Sequence, residues 1–243
     1  MKEAKVKVKL LKYTHDPELT AALAAKLCYS SEADIDSLQN SIEKTDQLKF
    51  IEKIVSIGHH SVLEHVSFTF GIEGVSRAMT HQLVRHRIAS YSQRSQRYVK
   101  HKGGFEYILP PSIKANEELK LKYEDFMSKI ADLYDEMIEA GVPTEDARYV
   151  LPNACETKII VTMNARELLH FFELRCCNRA QWEIRRVAEL MLEECLKVAP
   201  GIFKYAGPSC VTDKCKEGDM TCGKAQDVKR KYAELLRKYN RLN

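Results

Sequence analysis

The sequence predicts a single α+β domain. Three observations predict it: short stretches in which polar and apolar residues alternate, longer stretches with apolar residues three and four apart, and no regular strand–helix–strand alternation between them. No self-similarity recurs at a period of about 20–50 residues, which excludes a solenoid or propeller. No linker interrupts the pattern.

Lys5 to Leu10 alternates polar and apolar and reads as a half-buried strand. Asp16 and Pro17 then open a helix reaching Cys28, the aspartate as N-cap and the proline at the first helical position. Ile35 to Ile57 carries helical spacing and stops at Gly58. Val66 to Ile72 alternates again, Val75 to Arg87 suits a helix, and the next ten residues form a catalytic loop or irregular strand. Phe105 to Leu109 reads as a strand ahead of Pro110-Pro111, and Ile113 to Ala140 as a long amphipathic helix ended by Gly141. Thr144 to Ala147 is a new helix start. Asn164 to Cys176 and Ala180 to Val198 are helical, the second closing at Pro200-Gly201, and a short charged helix begins at Lys224.

At 243 residues, 44% hydrophobic and 30% charged, the chain can bury a sizeable core, and general disorder is excluded. No apolar run approaches the roughly 18 residues of a membrane span. The opening Met1-Lys2-Glu3-Ala4-Lys5 has charges where an export signal needs apolar residues. A cytoplasmic protein without a membrane partner is therefore expected. The net charge of +4 is too small for a general nucleic-acid coat but leaves room for one cationic pocket. Inside a cell the eight cysteines read as thiols rather than disulfides.

The densest chemical signal runs from Arg85 to Tyr98, where four arginines, one histidine, three serines and two glutamines occur in fourteen residues with no acid among them. Guanidinium forks donate paired charge-assisted hydrogen bonds to phosphate, and serine and glutamine satisfy remaining oxygens or a base edge. A phosphorylated ligand is the direct inference; the plainer alternative is a solvated basic turn or arginines paired with acids elsewhere. His59, His60 and His65 beside Glu64 resemble a metal cluster, yet adjacent histidines point apart in regular structure. The array Cys210-x4-Cys215-x6-Cys222 lacks the two-residue spacing of a zinc ribbon and reads as surface or packed thiols. No metal is expected at either place.

Arg85-His86-Arg87, seven residues and then Ser95 resembles the signature of flavin-dependent thymidylate synthases. The resemblance continues in Gly58 to His65, in Gly141-Val142-Pro143 through Ala147 to Pro152, in Asn164 to Leu168 with Phe171 to Arg175, and in Ala180 to Arg185. These blocks stand in the family's order over residues 10–205. The resemblance implies reductive methylation of dUMP to dTMP with FAD, NADPH and 5,10-methylenetetrahydrofolate. In that scheme the methylene passes by way of reduced flavin and no protein nucleophile is needed. It also implies a homotetramer with sites shared between subunits, and a central helical bundle flanked by antiparallel or mixed sheet. Residues 1–205 would be the enzyme domain and 206–243 a cysteine-containing extension.

Carried over by position, the resemblance assigns dUMP to Gln82, Arg85, Gln93, Arg94, Ser95, Gln96, Arg97, Arg148 and Arg175, with Arg85 reaching from a neighbouring subunit. It assigns FAD to His59, Ser61, Glu64, Arg85, His86, Arg87, Gln93, Asn164, Ala165, Arg166 and His170. Arg175 is the catalytic residue, since a cation beside uracil favours loss of the ring-imide proton and makes the ring a better carbon nucleophile. Ser95 is given a hydrogen-bonding job. Gln93, His170, Arg179 and Cys28 depart from the commonest family pattern. Two competing readings are a nucleic-acid-binding protein, against which the pI of 8.5 argues, and a flavoprotein that methylates uracil in RNA.

Overall fold

Four strands, β1 (Lys7–Tyr13), β2 (Ser67–Ser76), β3 (Ala89–Gln93) and β4 (Glu156–Asn164), form one sheet in the order β1-β2-β4-β3 in the computed structural model, which describes residues 2–101 and 103–240. The β1/β2 pairing is antiparallel. Thr14 N–H donates to the Ser67 carbonyl at 3.0 Å, whereas Lys5 lies against Gly74. With eleven α-helices and four short 3-10 segments besides this small sheet among the described residues, the fold is α+β.

Several boundaries differ from the sequence expectation, each for a local reason. The first strand runs from Lys7 rather than Lys5, and α1 (Pro17–Leu27) starts after Asp16. Asp16 adopts φ 43° and makes no side-chain cap; its carboxylate meets His15 instead. The single helix expected over Ile35 to Ile57 is two, α2 (Ile35–Glu43) and α3 (Gln47–Ser56), because both Asp34 and Asp46 cap a first turn by accepting from the backbone at Ser37 and Lys49.

Strand β2 continues four residues past Ile72. Gly74, at φ 69°, resets the strand, and its amide donates to Glu156 Oε1 at 2.9 Å. Ser76 then accepts from the Met79 amide at 3.0 Å and starts α4 (Arg77–Leu83), shorter at both ends than predicted. The segment read as a loop or irregular strand is β3. Phe105 to Leu109 is not a strand: Tyr107 makes isolated bridges to Glu3 and Cys155. Strand β4 was not foreseen, although Ile159, Val161 and Met163 alternate inward along it.

The chain divides into two compact units. One comprises Met1–Lys7, Gly71–Arg85 and Tyr91–Ile160; the other comprises Val8–Phe70, His86–Ser90 and Val161–Asn243. The first contains α4, α5 (Pro111–Lys114), α6 (Glu117–Glu139) and α7 (Thr144–Ala147). Its core joins Phe105, Tyr107, Leu109, Met127, Ala131 and Cys155. Helix α6 ends where Gly141, at φ 84°, turns its amide to Ile138 and the Val142 amide to Met137, a left-handed cap.

The second unit contains α1 to α3, α8 (Ala165–Arg175), α9 (Trp182–Val198), α10 (Pro200–Phe203) and α11 (Ala225–Asn240). Pro200-Gly201, expected to close a helix, opens α10. Its core is aromatic: Phe203 meets Phe68 and Phe172 edge-on with centroids 5.4 and 5.9 Å apart. Among the described residues no helix is long and apolar enough to cross a membrane.

Candidate functional site

The first unit holds the residues expected at a nucleotide except Arg175. Gln82 lies on α4, with exposed Arg85 just beyond its end. At the end of β3, Gln93 Nε2 donates to Thr80 Oγ1 at 3.0 Å and to Thr157 Oγ1 at 3.3 Å. Both amide protons are thereby used, so the side-chain carbonyl is left as an acceptor. Arg94 N–H donates to the Lys158 carbonyl, while the Arg94 carbonyl accepts from Arg77 Nη1 at 3.5 Å. Ser95 Oγ accepts from the Arg97 amide at 3.1 Å, a local turn contact. Gln96 reaches Cys155 Sγ at 3.7 Å.

Arg97 and Arg148 converge on one acid. Arg97 Nε and Nη2 bond Glu145 Oε2 at 3.0 and 2.9 Å, and Arg148 Nε donates to the Glu145 carbonyl at 3.0 Å. The expected dUMP arginine Arg97 is therefore tied within its own chain. This pair is half exposed, so it contributes little to stability. Arg77, which sequence reasoning did not select, is half-buried without a carboxylate partner among the described residues; burial lowers its pKa from the usual arginine range. Its position after Ser76, on the first turn of a capped helix, was the available signal.

The second unit holds Arg175 and most of the residues expected at a flavin. Arg175 Nε donates to His86 Nε2 at 3.0 Å, and His86 Nδ1 lies 2.9 Å from Glu167 Oε1. An arginine N–H can only donate, so Nε2 must accept and the His86 proton sits on Nδ1, pointing at the carboxylate. The ring is 4% exposed and packs edge-on against Phe171 at 4.9 Å. Burial, opposed by the hydrogen bond to Glu167 and reinforced by Arg175, lowers the His86 pKa, which keeps the imidazole neutral. Desolvation likewise lowers the Arg175 pKa, and Arg175 has no carboxylate partner among the described residues.

Glu167, 7% exposed, was not selected from sequence. It stands in the first turn of α8, where its amide bonds the Asn164 N-cap at 2.8 Å. A carboxylate on the buried face of an apolar helix was the signal that could have found it.

The other expected flavin residues are distributed unevenly. His59 stacks on Tyr29 and bonds its hydroxyl through Nδ1 at 3.1 Å; His60 Nε2 meets the Val55 carbonyl at 3.2 Å. Ser61 and Arg87 are exposed, and Ala165 is buried. Glu64 and Arg166 form an ion pair. Glu64, Asn164, Arg166 and His170 line one open cavity of about 1310 Å³, together with the cations Lys204, Lys216 and Lys229. His59, Ser61, His86 and Arg87 are not among its lining residues. Within Gly58 to His65, a short 3-10 helix (His60–His65) places His60 and Glu64, but not the whole motif, on this cavity.

The chain is thus an α+β protein that places Arg85, Arg94, Arg97 and Arg148 with Gln82, Gln93 and Gln96 in one unit and a large, open, partly cationic cavity in the other. The family model described as "Thymidylate synthase complementing protein" matches residues 9–201. The chain is 59% identical over 231 residues to a flavin-dependent thymidylate synthase of Geobacter sulfurreducens, covering 95% of this chain and 99% of the relative. Similarly named proteins of Clostridium tetani and Pyrococcus furiosus are 52% and 49% identical over 243 and 224 residues, covering 93% and 88% of this chain and 97% and 91% of theirs. The chain belongs to the flavin-dependent thymidylate synthase family and is an enzyme of that family.

Proposed function

We propose that the protein is a methyltransferase that converts dUMP to dTMP, using FAD, with NADPH as reductant and 5,10-methylenetetrahydrofolate as carbon donor. Arg175 is the observation that carries this reading. A half-buried guanidinium with no carboxylate partner among the described residues, held by a neutral histidine, is suited to pair with an anionic ligand. Set beside uracil, that cation favours loss of the N3 proton and raises the nucleophilicity of the ring carbon. The His86–Glu167 pair orients Arg175 without neutralising it.

The cavity of about 1310 Å³ fits FAD in size and in donor set: Lys229, together with Arg166, Lys204 and Lys216 once they exchange their pairs with Glu64, Glu52 and Glu173, suits a pyrophosphate, and Asn164 and His170 can meet polar edges. When bound, the flavin supplies carbon-transfer and hydride chemistry that no side chain provides. Gln82, Arg85, Gln93, Arg94, Ser95, Gln96, Arg97 and Arg148 bind dUMP, its phosphate displacing the Arg97–Glu145 pair. His59, Ser61, Arg85, His86, Arg87, Gln93 and Ala165 complete the flavin assignment, some of them through a neighbouring subunit or, as His86 does, through another side chain. The same reading carries a cytoplasmic homotetramer, a helical bundle flanked by the sheet, and residues 206–243 as an extension of the enzyme domain 1–205.

An anaerobic assay tests the proposal. dTMP should form from dUMP only when FAD, NADPH and methylenetetrahydrofolate are all present; no dTMP from flavin-loaded protein with all of them would overturn it.

A further inference from the structure

Four cysteines from two distant stretches of the chain surround one small space. Cys177, two residues beyond α8, faces Cys210, Cys215 and Cys222 across a cavity of about 10 Å³, the size of a single water-sized sphere. Each is a free thiol. We propose that these four sulfurs are the ligands of a structural Zn²⁺ that pins the segment after α10 to the end of α8.

The surroundings have the form of a thiolate site. The Arg179 amide donates to Cys177 Sγ at 3.5 Å, a two-residue N–H···S contact of the kind that steadies a metal-bound sulfur. Asn178 Nδ2 donates to Cys222 Sγ at 3.7 Å. Gly223, at φ 69°, turns the chain directly after Cys222 so that the Lys224 amide faces the same sulfur. A four-thiolate zinc centre carries a charge of about −2. Arg179, Lys214, Lys216 and Lys224 lie within two residues of a ligand, as do the acids Asp213 and Glu217, so cations outnumber acids in the near sequence.

Among the described residues no three such side chains already stand at metal-binding geometry. Thiols have no reason to close on one another without a metal, and Cys215 Sγ is turned to donate to Thr221 Oγ1 at 3.5 Å instead. Closure needs side-chain rotation. As each Zn–S bond forms, the thiol gives its proton to solvent, so metal and fold are linked. An all-sulfur tetrahedral set selects a soft, redox-silent ion over Mg²⁺ or Ca²⁺. The sequence pattern concealed this because Cys177 lies far upstream of the other three, which alone lack ribbon spacing.

The structural consequence is local. Ser209, Val211, Thr212, Asp213 and Lys216, between or beside the ligands, form part of the wall of the large cavity. Zinc would hold that wall in place.

Metal analysis of the full-length protein, purified without a metal-affinity tag, tests the assignment. About one Zn²⁺ per chain is expected. It should be lost in Cys177→Ser and in Cys215→Ser but retained in Cys28→Ser, which removes an exposed thiol outside the quartet. Should the first two variants fold poorly, titration of the unaltered protein with a mercurial should release zinc as those thiols react. Cobalt in its place should show the d–d bands of a tetrahedral sulfur site. Protein that stays metal-free when zinc is offered, zinc retained in the serine variants, iron in place of zinc, or a disulfide among the four would each overturn the proposal.

Discussion

A neutral His86 is what lets Arg175 stay both oriented and charged. If His86 gained a second proton, Nε2 would become a donor facing the donor Nε of Arg175, and the 3.0 Å bond would be replaced by repulsion. Because its folded pKa lies below the ordinary histidine value of 6.5, the unfolded chain binds the proton first as pH falls. Stability from this site is thus complete above about pH 6.5 and is lost as pH drops from there to the folded pKa. Turnover should fall in the same direction, with its midpoint below pH 6.5. Arg175→Lys, which cannot keep the Nε geometry, should reduce kcat on the order of ten- to a hundredfold with little change in dUMP affinity. It should also flatten the acid limb. Single-turnover rates and calorimetry across pH check both, and equal turnover would remove Arg175 from the chemistry. The arginine was legible in the sequence through the family pattern. Glu167, the partner of His86, was not, because a buried acid is recognised by what surrounds it in three dimensions.

At the level of elements, turn chemistry decides where strands and helices stop. Gly74 sits inside β2 at φ 69°, and a Cβ built there would lie 2.0 Å from the Lys5 carbonyl oxygen. Two penalties therefore add in Gly74→Ala: a left-handed backbone for an L residue and a collision with main chain that cannot swing away. Gly141→Ala has the first without the second, since nothing lies within 4 Å of its Cβ position. Denaturant melts should show Gly141→Ala costing about 1–2 kcal/mol, and Gly74→Ala at least about 2 kcal/mol more. Equal losses would show that the chain relaxes around Lys5. The same logic explains what the sequence revealed and what it hid. Strong periodicity made α6, α8, α9 and α11 legible. The break between α2 and α3 was masked by apolar spacing that runs through it, although Asp46 was present as a cap. Strand β4 was hidden because Ile160, 45% exposed, interrupts the apolar–polar alternation on the outward face.

For the whole molecule, the proposed tetramer has support on α6. Leu119, Phe126 and Leu133 recur every seven residues on that helix and are 49%, 60% and 46% exposed, while Met127, Ala131 and Tyr134 are buried on the neighbouring face, about 100° round the helix. A helix apolar on two sides fits packing against a second copy. If Arg85 completes the site of a neighbouring subunit, active sites are assembled from two chains, and that has a measurable consequence. Arg85→Ala and Arg175→Ala tetramers should each be nearly inactive. Dissociated together and reassembled at random, they should regain about a quarter of the unaltered protein's activity, because about that fraction of sites draws an intact Arg85 from one chain and an intact Arg175 from another. Were both arginines to serve the site of their own chain, no hybrid site would be intact and mixing would restore nothing. The exposed position of Arg85, just past the end of α4 and without a carboxylate partner among the described residues, is what the trans arrangement requires.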